Sequence, residues 1–126
     1  MEVVESFTYN NFKIEWINAI SKVGYVKVIK TTDETVKDNV EMWLLANKIG
    51  KFLRSCDDIK SEDNAFHSLQ RPGKQDNICI FPRYANDYSD NNLTYNIAES
   101  DNQPKTSSSE IILPLVQKLK SYLQNQ

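Results

Sequence analysis

From Asp33 to Ser55 the apolar residues return at helical spacing: Val36, Val40 and Trp43 lead into Met42, Leu45, Ile49, Phe52 and Leu53. Residues three and four apart share one face of a helix, so this stripe predicts a long helix buried against a sheet or another helix. Thr31 followed three residues later by Glu34 reads as a capping box, and Asp33 and Glu34 suit the positive end of the helix dipole. Lys37, Glu41, Lys48, Lys51 and Arg54 oppose the stripe and predict a solvated face. Gly50 weakens the last turns by about 1 kcal/mol relative to alanine, which permits a close crossing or an early end.

Upstream, residues 25–31 alternate Tyr25, Val26, Val28 and Ile29 with Lys27 and Lys30, as a strand would. Residues 10–23 support two readings. Phe12, Trp16, Ile20 and Val23 make a helical stripe capped by Asn10 or Asn11 and ended by Gly24, whereas Phe12, Ile14 and Trp16 also alternate after an Asn-Asn turn, as in a hairpin. The helix is the preferred expectation, with Glu2 to Tyr9 as a short strand. Residues 57–77 read as a long polar loop ending in Arg71-Pro72-Gly73, with at most one helical turn around Ala65, Phe66 and Leu69. Ile78 to Tyr84 predicts a buried strand that Pro82 confines to an edge or ends, and Leu93 to Ala98 a second strand. Residues 100–109 form a short linker, and a final helix begins near Pro114, leaving Glu110 to Leu113 extended. The expected architecture is a single α+β domain over residues 1–126, with two layers: three helices packed on a small, mainly antiparallel sheet.

Composition adds bounds. A 126-residue chain with 40% hydrophobic and 25% charged residues has the size of one domain and needs no staple to fold. No apolar run approaches the roughly 18 residues that cross a bilayer, and Glu2 and Glu5 stand where a signal peptide would be basic. The expectation is a cytoplasmic protein with Cys56 and Cys79 reduced and packed.

Most familiar chemistries lack their residues. The chain has one histidine, His67, three dispersed glycines and two distant cysteines, which form neither a zinc cluster nor a phosphate cradle. No calcium-loop spacing is present, so neither metal nor cofactor is expected. His67 is the only side chain that ordinarily titrates near neutrality. Ser61, Glu62, Asp63, Ser68 and Gln70 could orient it, although a solvated loop histidine accounts for the same residues. Dispersed lysines and a pI of 5.4 argue against nucleic acid.

The charge balance points to a surface instead. Residues 56–105 carry nine acids against five bases, in the most turn-rich part of the chain. Asp57, Asp58, Glu62, Asp63, Asp87 and Asp90, with Tyr84 and Tyr88, make a candidate contact surface for a basic protein, because acids steer encounter and desolvated tyrosines anchor a complex. The leading expectation is a small non-enzymatic binding module, an inhibitor or immunity-type protein neutralising a basic toxin or nuclease without membrane contact. The alternatives are a small hydrolase or nuclease using scattered carboxylates and His67, or a regulatory adaptor.

Overall fold

A computed structural model describes residues 2–18, 23–31, 36–70, 72–85 and 109–125. Its elements are β1 (Glu2–Tyr9), β2 (Phe12–Asn18), β3 (Tyr25–Lys30), α1 (Val36–Ser55), β4 (Asp63–Leu69), β5 (Asn77–Arg83) and α2 (Ser109–Gln124). The strands form one sheet in the order β1-β2-β3-β5-β4, with every pairing antiparallel. Both helices pack on the same side. Ile14, Trp16, Val26, Val28, Ile78 and Ile80 from the sheet join Met42, Ile49 and Leu53 of α1 and Ile112, Val116 and Leu119 of α2 in one core. No helix among the described residues is long and apolar enough to cross a membrane.

The class is α+β in two layers, but two helices rather than three lie among the described residues. Where a first helix was expected over residues 10–23, residues 10–18 form the turn and second strand of a β1–β2 hairpin, the rival reading, which turns at Asn10, φ 53°, with Tyr9 facing Phe12. A helical stripe through Phe12, Trp16 and Val23 would leave Ile14 and Ile17 toward solvent. As a strand, β2 buries Ile14 and Ile17 completely, one on each face of the sheet. Gly24 then enters β3 at φ +74°, where an added Cβ would lie 2.1 Å from the Ile17 carbonyl oxygen. The Trp16 indole donates to the Val23 carbonyl across the same connection, at 2.8 Å.

The expected loop at 57–77 contains β4. Its residues are mostly half-buried because it is an edge strand, so their burial does not alternate clearly, yet it pairs with β5 from Asp63–Arg83 to Leu69–Asn77. Pro82 is accommodated because β3 pairs β5 only as far as Ile80. At the other end, α2 starts at Ser109 and carries Pro114 in its interior. The fully buried Ile112 gains from helical placement more than one missing hydrogen bond near the helix start costs. Leu45, Ile49 and Phe52 are buried as expected, whereas Trp43 is 42% exposed. The Asp33–Glu34 helix start and the Leu93–Ala98 strand lie outside the described residues.

Candidate functional site

The face of the sheet opposite the helices carries the side chains on which chemistry could be built. Period-two alternation places His67 on that face of β4, with Ala65 and Leu69, and places Asn77, Cys79, Phe81 and Arg83 there on β5. His67 and Cys79 are direct cross-strand partners, Cys79 faces Lys27 on its other side, and Lys27 faces Glu15. Glu15, Lys27, Cys79 and His67 thus form one row across four strands, with neighbouring Cβ atoms about 5 Å apart.

Beneath the row lies a small second core of Ile17, Tyr25, Leu69, Cys79 and Phe81. The rings of Tyr25 and Phe81 stack at 4.3 Å, and His67 meets Phe81 edge-on at 5.6 Å. This packing fixes the imidazole and takes part of it out of water. Burial, and secondarily the charge of Arg83, lower the His67 pKa below its ordinary value. The ring is therefore neutral at pH 7, the form that accepts a proton or attacks as a nucleophile. Cys79 is a different case: its fully buried thiol donates to Asn77 Oδ1 at 3.6 Å and is closed to solvent. It belongs to the packing and not to the reactive groups.

The described residues expected to form an acidic contact surface lie around the loop before β4 and the end of β5, most of them in contacts of their own. Asp57 pairs with Lys60 at 3.7 Å, and Asp58 accepts a hydrogen bond from Lys118, which raises the lysine pKa. Glu62 Oε2 accepts the Ala85 N–H at 2.7 Å, tying the entry of β4 to the exit of β5. Asp63 is exposed at the start of β4, and the Tyr84 hydroxyl donates to the Ile59 carbonyl at 2.6 Å. Asp87, Tyr88 and Asp90 lie outside the described residues. Of the groups expected to orient His67, Ser61 donates to Asn64 Oδ1, Glu62 is engaged with Ala85, and Ser68 projects to the opposite face. Sequence reasoning missed Arg83 and the Cys79 partnership. Alternation along β5 contained both, but only once β4 is known to be its neighbour.

No family model and no curated protein matches the sequence. The fold is nevertheless shared with solved structures. A histidine triad protein from Sinorhizobium meliloti 1021 superposes with a TM-score of 0.64 at 10% identity, covering 98% of this chain and 87% of that one. A zinc-bound histidine triad family protein from Mycobacterium smegmatis gives a TM-score of 0.61 at 13% identity, over 96% and 88% of the two chains. At such identities the likeness is one of fold. It overturns the expectation of a non-enzymatic inhibitor or immunity protein, which rested on missing motifs and on loop charge: the chain has the fold of proteins named for a histidine constellation. The constellation itself is not here, because His67 is the only histidine. Zinc does not fit either, since no three His, Cys, Asp or Glu side chains gather among the described residues.

Proposed function

We propose that the chain is a small hydrolase of an anionic ester or phosphoester, with a chemistry centred on one imidazole. The observation that carries this reading is the half-buried His67 on the outer sheet face, held edge-on against Phe81 on the face that also carries Arg83. In this role His67 takes a proton from an attacking water, and the imidazolium then returns it to the leaving oxygen as the ester bond breaks. Arg83 attracts the substrate's negative charge and stabilises the further charge that develops in the transition state. Phe81, packed edge-on against the ring, keeps it from turning away. The likeness to histidine triad proteins supports the reading at the level of fold, while the single histidine requires a simpler mechanism than three could provide.

The test is an assay of the purified chain against a panel of phosphoesters and carboxylate-bearing esters. Replacing His67 with asparagine should lower kcat by about 10² to 10⁴ with folding unchanged. Arg83→Met should raise KM and also lower kcat, since the contact strengthens as charge develops. Turnover that survives His67→Asn, or no turnover of any anionic ester, would reject the proposal.

A further inference from the structure

The outward face of α1 changes character along its length. At about 100° per residue, Val40, Trp43, Leu44, Lys48, Lys51 and Arg54 fall within one sector of about 140°. The first three are large and exposed, at 53%, 42% and 55%. The last three are cations, and among the described residues no carboxylate pairs with them. From Val40 to Leu44 the described side chains of this face are apolar, with Glu41 at the rim; Asn47 follows, and three positive charges occupy the second half.

Two recesses flank this face. One, of about 160 Å³, lies beside Leu44 and is walled by Tyr9 and Phe12, with Glu41 and Lys48 at its edge. The other, of about 390 Å³, is open and lined by Lys51, Arg54, Ser55 and Tyr122. Leu44 and Lys51 are about 10 Å apart along the axis at 1.5 Å per residue, a distance an extended chain covers in about three residues.

From this arrangement we infer that the outer face of α1 is a docking site for an acidic peptide segment of a partner protein, which seats an apolar side chain beside Leu44 and, about three residues on, sets carboxylates against Lys51 and Arg54. Charge complementarity selects this occupant. A second copy of the same face would bring three cations against three cations in one alignment and apolar residues against cations in the other. A lipid surface has no side chain to seat beside Leu44 and would wet only the first half of the helix. The site lies across the sheet from His67 and shares no residue with the groups placed there.

The experiment titrates the full chain with a fluorescent synthetic peptide holding one leucine, a two-residue serine spacer and three glutamates. A scrambled peptide and vesicles containing phosphatidylserine serve as the other arms. Saturable binding is expected for the ordered peptide only, with quenching of Trp43, since Trp16 is buried. Trp43→Ala and the double reversal Lys51→Glu/Arg54→Glu should each weaken binding about tenfold or more, and salt should weaken it too, while circular dichroism and thermal midpoint stay unchanged. No saturable binding of the ordered peptide, equal binding of the scrambled one, indifference to the double reversal, or capture by vesicles in place of peptide would each overturn the inference.

Discussion

The helix-covered face of the sheet and the open face differ in how they use similar residues. Under the helices, twenty buried side chains, all from β2, β3, β5, α1 and α2 except Val23 and Ile59, interlock in one cluster. On the other face five do, and around them stand the half-buried Glu15, Lys27, His67 and Arg83. Burial of apolar area is the main source of stability, so the first face holds the molecule together. The second buries enough to immobilise its polar groups while leaving them partly wet, which is the condition under which an imidazole can be both positioned and reactive.

Ile49→Ala is the most direct way to break this comparison. Ile49 is fully buried between α1 and the sheet, and its truncation should cost about 2 to 5 kcal/mol in chemical denaturation. A loss well below 1 kcal/mol would mean that the helix-covered face is not the stabilising one. Gly24→Ala probes the connection that serves both faces: a Cβ at φ +74°, on top of the Ile17 carbonyl, should cost about 2 kcal/mol and lower the thermal midpoint by several degrees. On the open face, Phe81→Leu keeps most of the apolar area but loses the stack on Tyr25. The expected loss is about 1 kcal/mol, together with a raised His67 pKa measured by NMR titration as the ring is released to water.

The smallest effect concerns pH. Because the His67 pKa is lowered in the folded state, the unfolded chain binds the proton more readily. Stability should therefore be flat above about pH 6.5, the ordinary histidine value, and decline as pH falls from there toward the folded pKa. His67→Gln should remove that part of the slope. An unchanged slope in the variant would assign the pH dependence to other groups.

How far the sequence revealed this arrangement varied with how each element is buried. Residues 25–31, α1 and β5 were legible because β3 and β5 meet the core along their length and α1 meets it from Met42 onward, each with an apolar pattern to match. β2 was misread because it is buried on both faces, so Ile17 broke the alternation and left a helical period as a rival. β4 was hidden for the opposite reason: an edge strand of half-buried residues, Asp63 to Leu69, has the polarity of a loop. With β4 unread, His67 was visible as the one titratable candidate, but its place opposite Cys79, on the face that also carries Arg83, was not. The helical spacing of Val36, Val40 and Trp43 predicts a stripe continuous with the core, yet Val40 and Trp43 face outward. Their outward position followed from the 100° step, which centres the buried side of α1 on Met42, Ala46, Ile49 and Leu53.

At Gly50, the Asn64 amide of the edge strand donates to the helix carbonyl at 3.0 Å, and a methyl group would come within 3.0 Å of the Phe66 ring. The helix is thereby keyed to β4 like a shaft to its hub: it cannot roll about its axis without dislodging Asn64 or Phe66. Phe66 is the direct neighbour of His67 in β4, so a roll of α1 would disturb the strand that carries the imidazole. The surface bearing Trp43 and Arg54 and the face bearing His67 are thereby held in one register with no side chain in common.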